Sequence, residues 1–423
     1  MNAAFQRRAV ALSRNRNYQL LWVSRVLSGV GINGSVIAFP LLVLTLTGSA
    51  LASGLVLSTV AAAQLLVGLP AGALADRWNR KKIMVSAEVI QLVAAVSLVA
   101  ALWWGAARIA HMVVVAAVMG ACTALFRPAE DACLPRVVPP EQLSTAVALN
   151  AARAAVAQLA GTAAGGFLFA IARFMPFLAD TLAHLMAGIL LTFLQIPRRE
   201  VAPGPTRLGP EIMTGLGWVW GQRHIRVTAQ CAVVLNLFLS AFYLIAIVLA
   251  QGRGVPYGQI GVMAAMLGVG GLVGAVVATR LSTAISPYIS IIAVFWVLAA
   301  LTPMAALLDN GYLLGALFAA VAIPPATANT TIITGQLLLT SDQLRGRLSS
   351  VLGLFTGVAA ALGPGLGGLL MSALSGPLAV LVCAGGITIT AVAATLSPTL
   401  RSFPRYPATA HDCNPHLGST NGE

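Results

Sequence analysis

Residues 72–82 read G-A-L-A-D-R-W-N-R-K-K, from Gly72 to Lys82. The stretch lies at the seam between two long apolar runs, 51–74 and 83–104, which places it as a short loop at a membrane surface. Gly72 suits the close approach of two helices. Asp76 is placed to accept hydrogen bonds from a neighbouring helix N-terminus, where an anion contributes about 0.3–1 kcal/mol. Arg77, Arg80, Lys81 and Lys82 hold the loop on the cytoplasmic side. A basic loop with an incidental acid explains a loose cluster of such residues, but the ordered spacing G-x-x-x-D-R-x-x-R-K is narrower.

The rest of the composition agrees with a membrane setting. The chain has 423 residues, 58% of them hydrophobic and 9% charged, with a mean hydropathy of +0.88. Soluble domains carry about 25% charged residues, so this is an integral membrane protein. The net charge of +13 is not a nucleic-acid footprint, because the basic residues sit in separate short loops. Cys122, Cys133, Cys231, Cys383 and Cys413 form no C-x-x-C and no metal spacing, so neither metal nor cofactor is expected. The chain contains no Walker loop, no H-E-x-x-H and no G-x-S-x-G elbow with partner acid and histidine. ATP-driven pumping and enzymatic hydrolysis therefore lack residues to carry them. Gly363 to Gly368 satisfies G-x-G-x-x-G, but inside an apolar helix that pattern reads as close helix packing. Arg7, Arg8, Arg14 and Arg16 imitate the start of a signal peptide, yet the following run, 20–46, is too long for a cleaved segment.

Apolar runs of spanning length fall at 20–46, 51–74, 83–104, 110–127, 143–170, 174–196, 227–250, 258–280, 288–308, 312–338, 348–372 and 378–397. The expected fold is all-α, with twelve transmembrane helices in two parallel-related six-helix halves. With the N-terminus inside, nineteen Lys and Arg fall in cytoplasmic segments and three, Arg108, Arg173 and Arg253, on the other side. Both termini are then cytoplasmic. Internal repeats support the halves: Gly72-Ala73 recurs as Gly274-Ala275, and Gly165-Gly166 as Gly367-Gly368, each 202 residues on (274 − 72 and 367 − 165). The expected division is a cytoplasmic segment 1–17, a first half 18–196, a linker 197–226, a second half 227–397 and a disordered tail 398–423.

The 72–82 stretch resembles the signature loop between helices 2 and 3 of the major facilitator superfamily. Asn79 stands where that family carries glycine, and Asn is the residue that best tolerates positive φ. Further stretches narrow the resemblance: Asn15-Arg16-Asn17-Tyr18, Leu46-Thr47-Gly48-Ser49-Ala50, F-R-P-A-E-D-A-C-L-P-R-V-V-P-P-E-Q-L over 126–143, and D-Q-L-R-G-R-L-S-S over 342–350. Across residues 15–397 the chain is similar to the drug:proton antiporter branch that includes macrolide-efflux-like and enterobactin-exporter-like carriers. The resemblance implies a monomeric exporter of a small organic molecule, a drug, siderophore or natural product. It implies alternating access, coupling to protons and the bacterial cytoplasmic membrane. A lysophospholipid or nutrient carrier of the same fold is the alternative, with a membrane-embedded enzyme or sensor further off. Two departures stand out. Gly31 is followed by Ile32 and Asn33, where many members carry an acid. The G-P-x-x-G-G pattern of helix 5 reads Gly161-Thr162-Ala163-Ala164-Gly165-Gly166, and its intact form, Gly363-Pro364-Gly365-Leu366-Gly367-Gly368, lies in helix 11.

A charge at the bilayer centre costs about 2.5–3.5 kcal/mol, so each one calls for a partner or a function. Arg25 and Arg153 lie about 12 and 15 Å into helices 1 and 5. Glu130 and Asp131, at the inner end of helix 4, are expected to pair with Arg77 or Arg80 and latch a gate with Gly72, Asp76 and Lys81, as the resemblance also implies. Glu88 is expected to snorkel towards the basic loop. Asp180 and His184 share one face of helix 6, and an imidazole with an unperturbed pKa near 6.5 suits proton exchange. Asp180, His184 and Glu88 are the proton-coupling candidates; packing or capping explains Asp180 equally, and a buried hydrogen-bonded side chain explains His184. Arg25, Asn33, Arg153, Asn150, Asn236 and Asn329 are the substrate-cavity candidates, with Gln64 and Gln158 also available. Two deep arginines without the helix 1 acid favour an anionic substrate. The competing reading neutralises both arginines on Glu130 or Asp131.

Overall fold

The computed structural model describes residues 12–196, 221–284, 286–338 and 342–402, together with Gly217. Most of the expected linker and tail, and the first eleven residues, lie outside the described residues, as do the side chains of Arg280, Gln336, Asp342, Arg345 and Arg347.

Among the described residues, twelve helices are long and apolar enough to cross a membrane. They are α1 (Arg16–Thr47), α2 (Ala50–Arg77), α3 (Arg80–Trp103), α4 (Ile109–Val137), α5 (Leu143–Ile171) and α6 (Met175–Thr192), then α7 (Arg223–Gly252), α8 (Tyr257–Ala284), α9 (Pro287–Leu301), α10 (Gly311–Leu338), α11 (Asp342–Ala373) and α12 (Gly376–Leu396). A helix satisfies its own backbone, which lipid cannot do for it. Local chemistry sets the ends. Asn15 and Ser49 cap α1 and α2 by accepting from the Tyr18 and Ala52 amides, and Gly48, at φ 68°, closes α1 in the left-handed conformation that glycine adopts without strain.

The 72–82 stretch is mostly helix, not loop. Helix α2 runs to Arg77 and α3 starts at Arg80, which leaves only Trp78 and Asn79 between them. Asn79 does not stand in for a positive-φ glycine: its φ is −67°, and its side chain accepts from the Lys82 amide as the N-cap of α3.

Within the first six helices, α1 packs on α5 and α6, α2 on α4, and α3 on α4 and α6. The same contacts recur six helices later, with α7 on α11 and α12, α8 on α10, and α9 on α10 and α12. The halves meet mainly through α2 with α11 and α5 with α8.

An even number of crossings returns the chain to the face it started from, here called the terminal face. Among the described residues, the inter-half seams bring backbone against backbone near the opposite face. A methyl group on Gly368 would lie 2.6 Å from the Ala50 carbonyl oxygen, and one on Gly166 would lie 2.5 Å from the Gly261 Cα. The Gly365 amide donates to Ser58 Oγ across the α2–α11 seam at 2.8 Å. Towards the terminal face the seam opens. Leu66 and Trp78 on α2 and Val147 and Val156 on α5 are exposed, and a methyl group on Gly72 would meet nothing within 4 Å. Gly72 does not bring two helices together in this state.

Candidate functional site

A cavity of about 500 Å³ lies where the halves face each other. From the first half, α1, α2 and α5 present Asn33, Gln64 and Gln158; from the second, α7 and α10 present Phe242, Tyr243 and Phe318. A second cavity of about 420 Å³ lies among α7, α9, α10 and α11, and shares Leu239 and Pro325 with the first. Asn236 and Asn329 line this second space. No described residue lining either cavity is charged. Of the six sequence candidates, Asn33 faces the central cavity, Asn236 and Asn329 the second, and Arg25, Arg153 and Asn150 line neither. The aromatic wall went unnoticed in the sequence, because a phenylalanine in an apolar run looks the same whether it packs or lines a space.

Arg25 and Arg153 converge on Glu130. Glu130 Oε2 stands 3.0 Å from Arg25 Nε, and Oε1 accepts from Arg153 Nη1 at 2.7 Å. The Arg25 guanidinium also lies over the Phe126 ring, 4.4 Å from its centroid. One carboxylate thus ties α1, α4 and α5 together. This corrects the expected pairing of Glu130 with Arg77 or Arg80. Asp131 is exposed and joins no ion pair among the described residues. Arg80 donates to the Ala132 carbonyl at 2.8 Å and lies 3.7 Å from the exposed Asp76, while Lys81 donates to the Thr192 carbonyl at 2.6 Å. These basic groups therefore sit on carbonyls at helix C-terminal ends, where the helix dipole favours cations.

A second buried cluster joins α1, α3 and α6. His184 Nδ1 faces Glu88 Oε2 at 2.5 Å, and His184 Nε2 faces Asp180 Oδ1 at 3.2 Å, close but out of hydrogen-bond alignment. Ser35 Oγ donates to Asp180 Oδ2 at 2.9 Å. Glu88 is 0% exposed, which corrects the expectation that it snorkels towards the basic loop. Both imidazole nitrogens thus face carboxylate oxygens, and Nδ1 alone is hydrogen-bonded to one. A small space bordered by Gln91, Asp180 and His184 has about the volume of one water, and Glu88 Oε1 and Gln91 Oε1 have no hydrogen-bond partner among the described residues. The cluster lies behind α1, apart from the central cavity.

The glycine-rich patterns lie on helix crossings. Gly161 meets the Val30 carbonyl and Gly165 the Gly34 carbonyl, where α5 crosses α1. Gly363 and Gly367 meet the Leu237 and Ala241 carbonyls, where α11 crosses α7, and Pro364 faces both the cavity and Gly54 of α2.

Twelve spanning helices, a contact pattern that repeats after six, and a cavity between the halves define a multi-pass membrane protein of the major facilitator type. The profile described as transmembrane secretion effector matches residues 8–416, and the chain belongs to that family. Among curated relatives it is 30% identical over 238 residues to the "Multidrug efflux pump Tap" of Mycobacterium tuberculosis and of Mycobacterium bovis, over 53% of this chain and 55% of theirs. The chain thus spans about half the length of the curated relatives it matches. Among solved structures, a variant of the nucleoside transporter NupG superposes with a TM-score of 0.74 at 11% identity, covering 90% of this chain and 99% of that one. A bacterial homologue of the human lysosomal transporter Spinster, inward-facing and unoccupied, gives 0.67 at 17%, covering 92% and 95%. At these identities the likeness concerns the fold.

Proposed function

We propose that the chain is a secondary transporter that exports a small organic molecule from a bacterial cell by alternating access, driven by protons. The observation that carries this reading is the central cavity, built by both halves, sealed at one face by glycine crossings and open towards the other. Efflux as the direction is supported by the similarity to the Tap pumps. The bias of Lys and Arg to the terminal face supports placing that face, and both termini, in the cytoplasm. The cavity is then open to the cytoplasm in this state.

The division into 18–196, 197–226 and 227–397 belongs to the same reading, each half moving as a body. Gly72, Asp76, Arg77, Arg80 and Lys81 act when the terminal face closes, with Gly72 meeting the second half only then. The proton is held by Glu88, His184 and Asp180, which share buried positions between helices that must shift as α1 moves. An anionic substrate finds little support, because both deep arginines are engaged by Glu130.

The test is uptake into inverted membrane vesicles, with compounds chosen by an efflux screen in cells. Transport should collapse when an uncoupler removes the proton gradient, and Asp180→Asn should alter its pH dependence. Uptake indifferent to the uncoupler, with an unchanged pH profile in both Asp180→Asn and His184→Ala, would remove protons from the mechanism.

A further inference from the structure

The central cavity has two unlike walls. Asn33, Gln64 and Gln158 put three carboxamides on one side, and Phe242, Tyr243 and Phe318 put three rings on the other. Asn33 Nδ2 is used on its own helix, donating to the Gly29 carbonyl at 2.7 Å, but Gln64 and Gln158 make no hydrogen bond to any described residue. Each is exposed to the cavity although it lies within a membrane span. A carboxamide offers both donor and acceptor, and two such groups left unpaired at membrane depth are built to meet hydrogen-bonding groups of either sense.

Among the described residues, neither wall holds a group that could offset a charge. The deep arginines on α1 and α5, Arg25 and Arg153, lie eight and five residues towards the terminal face from Asn33 and Gln158 (33 − 25 and 158 − 153) and are engaged by Glu130. The Glu88–His184–Asp180 cluster is behind α1. The rings are a poor cage for a cation, since Phe242 and Phe318 stack on each other at 5.5 Å and spend a face each on that contact. A charged molecule entering this space gives up hydration and finds no opposite charge among the described lining residues.

We infer that the cavity takes an uncharged molecule with a flat apolar face and an edge of hydroxyl, carbonyl or amide groups, and discriminates against organic cations and anions alike. The flat face lies on the rings and the edge on Gln64 and Gln158. This rests on reading the cavity as the transport site.

The experiment is direct binding to the full-length protein in lipid nanodiscs, with one steroid framework carrying different charges. The probes are radiolabelled hydrocortisone, its uncharged 21-acetate as a size control, its anionic 21-hemisuccinate and its cationic 21-dimethylglycinate. The two uncharged probes should bind at least about tenfold more tightly than either charged ester. Gln64→Glu should raise affinity for the cationic ester about tenfold relative to the acetate, and retained acetate binding shows that the variant is folded. Equal or tighter binding of a charged ester by the unaltered protein would overturn the inference, as would failure of all four probes to bind. Gradient-driven movement of hydrocortisone in vesicles is measured separately. Charge discrimination without movement would overturn the transport reading and leave the cavity's preference standing.

Discussion

Glu130 shows how much a single side chain can hold when it is buried between two cations. Removing one arginine leaves the carboxylate a partner; removing the carboxylate leaves two guanidiniums unpaired. Glu130→Gln should therefore destabilise the protein by about 3–5 kcal/mol, the typical cost of breaking a buried pair, and clearly more than Arg25→Ala or Arg153→Ala. Thermal unfolding followed by size-exclusion chromatography in detergent measures the order, and a Glu130→Gln protein as stable as the parent would contradict it. At the His184 cluster, Asp180→Asn should keep the bond from Ser35, since an amide oxygen still accepts, while removing the charge facing the imidazole. The fold should survive and the pH profile of transport should move. The sequence put Asp180 beside His184 and held Glu130 as one of two competing partners for the arginines, but it did not join Glu88 to His184, because those two are 96 residues apart (184 − 88), much as Arg25 and Arg153 stand 105 and 23 residues from Glu130 (130 − 25 and 153 − 130). Depth was the available signal. Glu88 lies eight residues from the terminal-face end of α3 (88 − 80) and His184 eight from that end of α6 (192 − 184). Both therefore sit about 12 Å deep, and an acid and a base at equal depth are natural partners.

At the level of the element, the α2–α3 connection illustrates what motif reading captures and what it does not. The pattern located the seam correctly, since two apolar runs must be joined at the surface, but it overstated the loop. The apolar count stops at Leu74 while the backbone stays helical for three residues more, because Asp76 and Arg77 are as compatible with a helix as with a loop. Asn79 separates two readings with opposite outcomes. Were it at positive φ, Asn79→Gly would stabilise; as an N-cap, glycine should cost only a few tenths of a kcal/mol and Asn79→Ala about 1 kcal/mol. The sign of the glycine variant in a thermal-stability series decides. At the α5–α8 crossing no side chain fits between Gly166 and Gly261. Gly166→Leu should force that seam apart and make a cysteine placed at Ala163 reactive to a membrane-impermeant thiol reagent from the opposite face; an unreactive cysteine would show that the seam absorbs the bulk.

For the whole molecule, the spans were legible because the length of an apolar run is a local property, whereas the state of the molecule was not, because it depends on which seams are tight. The proposed alternating access requires the Ser58–Gly365 seam to part in every cycle. A Ser58→Cys, Gly365→Cys pair should cross-link under oxidation, given that a methyl group on Gly365 would lie 3.1 Å from Ser58 Oγ. Transport should stop and return on reduction. Full activity of the cross-linked protein would exclude alternation at this seam.

An uncharged cavity also has an electrical consequence. Moving one elementary charge through 100 mV is worth about 2.3 kcal/mol, and a cargo without charge draws on none of it. Under the proposed proton exchange the whole voltage dependence then belongs to the proton, so trading one proton for one molecule is electrogenic. In right-side-out proteoliposomes held at equal pH, an interior-negative potential set with potassium and valinomycin should alone drive export, and a carrier trading a proton for a monovalent organic cation would ignore it.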